Sequence, residues 1–389
     1  MKMTRILIIG IGNPVPSFIH RRLVALLHAG VKLTIVAEHG QSIDLPKARV
    51  VRIGGKQNKI QQLLSFIKVW TRPHLFFRLL SVRPELTLVQ RWRWAVKYFP
   101  ITRTKAPSVI HIQWLSSVPD FQWLNRFFNC PLVASARGSQ LTVYPLTRPG
   151  FKTTIKDAIQ KVDYIHCVSN DMALACMHFG ATQQKVFVNY NGIDLQKFRP
   201  RESKQTEKHF TMISVGAMMW RKGFQYQLQL LSMLVKEGRN VHLLLLGDGP
   251  DREGLHYSAH MLKVDQHVTF AGKIKASELP DWLNRADVYL STSVAEGLAN
   301  SIVEAIACGL PVVAFACEGM EEVLEAGVNG FILPVGDLDG MVEKIHYLMD
   351  RPEEKKKMGA SARKHAVEKF DEGEWVSRMV KKYESIERK

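Results

Sequence analysis

Short apolar runs recur along this chain, and stretches of helical periodicity separate them. In the first half the runs fall at residues 6–9, 32–37, 108–112, 131–136 and 164–168. In the second half they fall at 211–215, 241–246, 268–270, 288–290, 311–314 and 330–333. Amphipathic stretches at 18–29 and 224–236 each end at a glycine, Gly30 and Gly238. A short run that is apolar on both faces and is followed by a helix reads as a strand of a parallel sheet, covered on both sides by crossover helices. Two such series predict two doubly wound α/β domains of Rossmann type. A chain of 389 residues is also too long for one ordinary core. The polar stretch 199–208, containing Pro200, is the expected boundary. It gives domains at 1–200 and 201–374, with a C-terminal helix over about 375–389 expected to pack back on the first.

Composition narrows the function classes. No stretch reaches the roughly 18 apolar residues of a membrane span. The N-terminal apolar run is short and ends at Gly10, as a buried first strand does and a secretory signal does not. The cysteines (Cys130, Cys167, Cys176, Cys308 and Cys317) are odd in number and contain no C-x-x-C pair. Neither a disulfide framework nor a zinc site is therefore expected, and the cytoplasm is the expected compartment. The net charge of +17 is unevenly placed. Residues 1–200 hold 28 Lys and Arg against 8 Asp and Glu, whereas residues 201–389 hold 25 against 28. Such a split concerns partners and not fold. It fits an anionic membrane surface, an anionic lipid-linked substrate, nucleic acid, or a merely solvated face. No nucleic-acid module is visible, so nucleic acid is not the expected partner.

Residues 66–105 depart from the alternation. Lys68, Arg72, Arg78, Arg83, Arg91, Arg93, Lys97, Arg103 and Lys105 interleave there with Phe66, Trp70, Phe76, Phe77, Trp92, Trp94, Tyr98 and Phe99. Cations beside aromatic rings suit the headgroup region of a bilayer. Packed helices with core aromatics and solvated arginines explain the same pattern.

Three segments are candidates for chemistry. Gly10-x-Gly12 follows the first strand, but Val15 stands where a dinucleotide fingerprint needs its third glycine, and Pro14 and Pro16 interrupt the helix start. This loop, with Gly12 and Asn13, is expected at the carboxyl edge of the first sheet, facing a cleft. Gly216 to Gly223 lies between a strand and a helix and carries Arg221 and Lys222, cations placed to neutralise a diphosphate. Glu296-Gly297-Leu298-Ala299-Asn300-Ser301-Ile302-Val303-Glu304 follows another strand and opens a helix, whose first N–H groups and dipole favour an anion. Glu304 is placed to reach ribose hydroxyls, or else forms a capping box with Ser301. Glu296 has no evident cap to make.

The spacing of Glu296 and Glu304 resembles the E-x7-E motif of the retaining GT-B glycosyltransferases of family 4, the group 1 glycosyl transferases. The resemblance extends through Ser17-Phe18-Ile19, Val168-Ser169-Asn170, Asn191-Gly192-Ile193-Asp194, Gly216 to Gly223, Gly247-Asp248-Gly249-Pro250 and Gly272-Lys273-Ile274. It implies a GT-B fold with a cleft between two Rossmann-like domains, the second binding a sugar nucleotide. It implies that Arg221 and Lys222 bind the donor diphosphate and act in catalysis, with Gly216 and Gly247 shaping their loops. Leu298, Ala299, Asn300 and Ser301, with Gly297, would hold phosphate and sugar. Glu304 would bind ribose, Ile274 the base, and Glu296 the donor sugar near its anomeric carbon. On the acceptor side it points to Gly12, Asn13, His111, Arg137 and Gly138. No metal or other cofactor is expected.

Two positions depart from the family. Ala217 stands where arginine is usual after the first glycine of the phosphate loop. Arg137-Gly138 stands where many members have His-Gly. Arginine stays protonated and is no general base, but front-face retaining chemistry, in which the leaving phosphate takes the acceptor proton, needs none. The expected function is transfer of a sugar from UDP- or GDP-sugar to a hydroxyl of a growing, lipid-linked glycan at the inner membrane face, as in lipopolysaccharide or exopolysaccharide assembly. A sugar-nucleotide epimerase of the same fold and an inactive partner subunit are the alternatives. Donor sugar, base, linkage, acceptor and oligomeric state are not legible in the residues.

Overall fold

A computed structural model describes residues 4–55, 69–201 and 209–387. Phe66 and Lys68 of the aromatic-basic segment, and 202–208 of the polar stretch, lie outside the described residues. The chain divides into two compact units. The first comprises Met1–Cys167, Ala173–Asn189 and Val376–Lys389; the second comprises Val168–Met172 and Tyr190–Trp375.

The first unit is built on β1 (Arg5–Ile9), β2 (Lys32–His39), β3 (Arg49–Gly55), β4 (Val109–Ile112), β5 (Leu132–Ala136), β6 (Tyr164–Cys167) and β7 (Val186–Val188). They form one parallel sheet in the order β3-β2-β1-β4-β5-β6-β7. The central strands β4 and β5 are buried along their whole length, as a sheet covered on both faces requires. The two outermost strands, β3 and β7, are the ones the apolar runs do not mark. β3 carries Arg49 and Arg52, and β7 has three residues; both traits are usual at sheet edges. The helix at Ser17–His28 buries Ile19, Leu23, Ala25 and Leu26.

The second unit holds β8 (Phe210–Val215), β9 (Val241–Leu246), β10 (Val268–Gly272), β11 (Val288–Ser291), β12 (Val312–Phe315) and β13 (Gly330–Leu333). Their order is β10-β9-β8-β11-β12-β13, all parallel. Counted from its own first strand this is 3-2-1-4-5-6, the dinucleotide-fold order. Helix Phe224–Lys236 covers it through Phe224, Leu228, Leu231 and Leu234. Gly223, at φ +62, turns the chain into that helix without the strain a side chain would bring.

Residues 190–200, expected to lie before the boundary, belong to the second unit. Ile193 N–H donates to Phe370 O at 2.8 Å, Glu372 N–H donates to Ile193 O at 3.1 Å, and Arg363 Nη1 donates to Phe198 O at 2.7 Å. These bonds anchor Ile193 and Phe198, ahead of the polar stretch, to the second unit. Helix Glu372–Ile386 begins in the second unit, and its residues from Val376 onward belong to the first.

The aromatic-basic segment has two kinds of aromatic residue. Phe76, Tyr98 and Phe99 are buried, with Phe76 edge-on to Phe99 at 6.0 Å. Trp70 and Phe77 are 60% and 62% exposed, and Leu88, Val89 and Trp92 are exposed on one face of helix Leu88–Thr102. The core reading and the surface reading each account for part of the pattern. Among the described residues, no helix is long and apolar enough to cross a membrane.

Candidate active site

In the second sheet the strand order reverses between β8 and β11, where ligands of open α/β sheets bind beyond the carboxyl ends of the strands. Two loops leave the sheet there, one after β8 and one after β11. Side chain and backbone stitch them together. Val294 N–H donates to Arg221 O at 2.9 Å. Thr292 Oγ1 lies 2.9 Å from Gly223 O and accepts from Gln227 Nε2 at 2.9 Å. A Cβ on Gly223 would stand 2.2 Å from Thr292 O, so this approach needs glycine. Thr292 and Gln227 were not recognised from the sequence; the signal was Thr292's place directly after β11.

On this junction Lys222 Nζ donates to Glu296 Oε1 as an ion pair, with the two side chains 23% and 15% exposed. The Lys222 stem runs over Gly216, where an added Cβ would meet Lys222 Cε at 3.3 Å. Arg221 is half-buried, its Nη2 3.1 Å from Met219 Sδ. Glu296 N–H donates to Glu318 Oε2 at 3.3 Å, which adds a second carboxylate unmarked by any motif. Burial first, then Glu296 and Glu318, pushes the neighbouring Cys317 thiol up to about 12.

Gly297, Leu298 and Ala299 are buried and lead into helix Asn300–Ala307. Ser169 Oγ donates to Gly297 O at 2.7 Å, and Asn191 Nδ2 donates to Asn300 Oδ1 at 2.6 Å. Two of the expected family signposts thus brace the motif loop. Ala299 is the N-cap and no side chain caps the helix. Ser301 is therefore the second helical residue and not the cap, so the capping-box reading of Glu304 fails. Glu304 lies on the fifth helical position, half-buried. Burial, then the Glu304 carboxylate, pushes the Cys308 thiol up to about 12. Buried Tyr289, on β11, exchanges hydrogen bonds with the Val215 backbone, and burial raises its pKa.

The remaining residues expected on the donor side collect at the same edge. Gly216 N–H donates to Leu246 O at 3.0 Å, and Gly247 N–H donates to Gly272 O at 2.8 Å. The loops after β8, β9 and β10 are thereby joined, with Ile274 two residues beyond β10. Ala217 is exposed in the first of them.

Within the first unit, Gly12 and Asn13 occupy the loop after β1, and Gln41 Nε2 donates to Gly12 O. Arg137 follows β5 and is 6% exposed. Its Nε and Nη2 donate to Gln113 O and Oε1, both at 3.0 Å, and its guanidinium faces the rings of Phe18 and Trp114 at 5.0 and 5.5 Å. Burial and the nearby Arg22 cation lower its pKa. No carboxylate among the described residues pairs with it. Gly138 next to it opens the short helix Ser139–Thr142. His111 is buried on β4, with Nδ1 2.6 Å from Tyr383 Oη and Nε2 2.8 Å from Ser135 Oγ. Ser135 Oγ continues the chain to His166 Nδ1 at 3.0 Å. Burial, then Arg22 and Arg137, lowers the pKa of His111 and keeps it neutral. Both its nitrogens are engaged in this buried network.

Comparison with known proteins places this arrangement. The profile of the Glycosyltransferase Family 4 matches residues 17–197, and that of Glycosyl transferases group 1 matches residues 196–365. The chain belongs to the group 1, family 4 glycosyltransferases. Among relatives of this family, the N-acetyl-alpha-D-glucosaminyl L-malate synthase of Bacillus anthracis is 26% identical over 262 residues, 66% of this chain and 67% of that protein. The lipopolysaccharide core biosynthesis glycosyltransferase LpsE of Rhizobium meliloti is 29% identical over 208 residues, 53% of this chain and 59% of that protein. Both are thus matched over only part of their length. The structure of Anabaena HepE in complex with UDP superposes over 98% of this chain and all of that one, with a TM-score of 0.75 at 18% identity. That last likeness is one of fold: two parallel-sheet α/β domains of GT-B type.

Glu304→Ala is expected to raise the donor KM with little change in melting temperature. A capping role, about 1 kcal/mol, does not exist for Glu304 to lose. A normal donor KM alongside a lowered melting temperature would refute a ligand role.

Proposed function

We propose that this chain is a retaining glycosyltransferase of cell-surface glycan assembly. It moves a hexose from UDP- or GDP-sugar to a hydroxyl of a lipid-linked, growing glycan. The observation that carries this reading is the Lys222–Glu296 pair on two stitched loops at the switch point of the second sheet. In the resting site each side chain holds the other. A bound donor takes both: Lys222, with Arg221, neutralises the diphosphate, and Glu296 accepts hydroxyl hydrogens of the sugar. The uncapped start of helix Asn300–Ala307 adds N–H donors for phosphate. As the glycosidic carbon–oxygen bond breaks, charge grows on the diphosphate, and these fixed cations and dipoles stabilise it. The leaving phosphate oxygen takes the acceptor's proton, so no protein base is required. Arg137 faces an anionic group of the acceptor, in keeping with a diphosphate-linked carrier.

Support comes from the relatives, one a lipopolysaccharide core biosynthesis glycosyltransferase, and from HepE's complex with UDP. The test is product analysis with a panel of UDP- and GDP-sugars and polyprenyl-diphosphate glycans. Free UDP or GDP released together with a new linkage supports transfer. Interconversion of the donor sugar without release would replace transfer by epimerisation, and silence across the panel would favour a partner subunit. Donors are first ranked by thermal shift, since a ligand at 100 times its Kd adds about 2.7 kcal/mol of stability.

The same reading places the first unit against an anionic bilayer. Phe76 links the exposed rings of Phe77 and Trp92, with centroids 6.3 and 4.9 Å away. Arg72 and Arg93 are exposed near that patch in the chain. Each cation near such a surface contributes about 1 kcal/mol. Arg72→Glu with Arg93→Glu is expected to reduce partition onto anionic vesicles by roughly 30-fold or more. Lys236→Glu with Lys356→Glu, exposed in the second unit, should leave it unchanged. Equal loss from both pairs, seen by sedimentation, would refute the docking face.

A further inference from the structure

The amino-terminal edge of the first sheet, opposite the edge where Arg137 lies, holds a cavity of about 440 Å³. Its cations are Arg5, Lys32, Lys47, Arg49 and Lys105. The fold brings them together from separate places. Arg5, Lys32 and Arg49 are the first residues of β1, β2 and β3, which are neighbours in the sheet. Lys47 precedes β3 and Lys105 precedes β4. Leu27, Val31, Leu33 and Pro107 supply an apolar wall.

No Asp or Glu lines this cavity, and none of the five cations pairs with a carboxylate among the described residues. Five like charges around one concavity repel each other, and the low-dielectric wall concentrates their field. The C-terminal end of helix Ser17–His28 borders the cavity, and free carbonyls there would oppose an anion. Those of Ala25, Leu26 and Leu27 already accept from the N–H groups of Ala29, Val31 and Gly30. A larger groove of about 1060 Å³ on the same edge is different in kind. Glu85 and Asp163 line it, Arg83 pairs with Glu85, and Arg78 donates to Phe127 O.

We infer that the 440 Å³ cavity is a binding site for a phosphate-bearing anion of at least two negative charges. Arg5, Lys32 and Arg49 open three adjacent strands, about 4.8 Å from one to the next, a spread that suits two linked phosphates, with the apolar wall accommodating a short hydrocarbon portion of the ligand. The chemistry is the same for a soluble diphosphate and for a diphosphatidyl headgroup. The site stands at the opposite strand ends from the switch point of its own sheet, so it is not the place where this fold binds a reacting substrate. It therefore stands whether or not Lys222 and Glu296 hold a donor.

The experiment uses the full chain carrying Arg221→Ala and Lys222→Ala, so that the loop after β8 does not compete for the probe. Inorganic pyrophosphate is titrated calorimetrically at low salt. Binding that weakens as salt rises is expected, and the substitutions locate it. Lys32→Glu with Arg49→Glu should weaken it by at least about tenfold. The pair Lys47→Ala with Lys105→Ala, which introduces no new charge, should weaken it less but in the same direction. Lys152→Glu with Lys156→Glu, exposed on helix Phe151–Lys161 away from the cavity, should leave it unchanged. Displacement of pyrophosphate by cardiolipin vesicles would assign the natural phosphate to a lipid; its retention on vesicle-bound protein would assign a soluble ligand. Absence of pyrophosphate binding, or equal weakening by the Lys152 and Lys156 pair, would overturn the site.

Discussion

Glu296→Gln is expected to lower kcat by about 10²–10³-fold, the usual effect of removing one preorganised polar contact to a developing charge distribution. The side chain is 15% exposed and bound to Lys222. Glutamine keeps the shape and one acceptor oxygen for Lys222 Nζ, so the loop after β11 should hold its place. What changes is charge. A neutral amide accepts sugar hydroxyls more weakly than a carboxylate, and it no longer balances Lys222 in the resting site. The stability change should stay near 1 kcal/mol, because the pair is partly solvated. On the proposed reading Lys222 and Arg221 still hold the diphosphate, so the donor KM should move less than kcat. A double-mutant cycle with Lys222→Ala sharpens the test: two residues serving one donor should give strongly non-additive losses. Turnover within threefold of the parent chain would remove Glu296 from the chemistry.

Much of this site was legible in the sequence because its parts sit where strands end. Glu296, Gly297 and Arg221 mark themselves by following apolar runs, and the parallel alternation fixes which edge they share. The bounds of Phe224–Lys236 and Val241–Leu246 were also legible, since helical period, apolar content and a closing glycine agree there. Partners that act across the sheet were not. Thr292, Gln227 and Glu318 carry no motif, and their roles arise only when β8 and β11 become neighbours. Ser301 was misleading for a different reason. Its spacing from Glu304 fits a cap, but the helix starts one residue before it, at Asn300. In the first unit, charge composition pointed to a basic face without telling buried Arg22 and Arg137 from exposed Arg72 and Arg93. Nor could it show that three strand starts and the segments before β3 and β4 bring five cations to one cavity.

Gly247→Ala should be the most damaging single methyl group in the second unit. Gly247 sits at φ +135, a backbone region that side chains rarely occupy. An added Cβ would stand 1.8 Å from Gly216 O and 2.9 Å from Gly216 C. Neither strand end can retreat cheaply. Gly247 N–H is bonded to Gly272 O, and Gly216 N–H to Leu246 O, so relieving the clash breaks the junction of three loops. Strain and lost bonds together should destabilise the unit by about 3 kcal/mol or more. For a unit of this size that is a fall of roughly 6–12 °C in Tm. Displacing Gly216 also moves the backbone under the Lys222 stem, so on the proposed reading affinity for the donor nucleotide, UDP or GDP, should fall with stability. Gly238→Ala is the control. Its φ is also positive, at +74 in the left-handed region, but nothing lies within 4 Å of the new Cβ, so only backbone strain of about 1 kcal/mol is expected. A Gly247→Ala protein that melts with the Gly238→Ala control and binds its donor nucleotide, UDP or GDP, like the parent chain would show that the three loops are not the tight junction described.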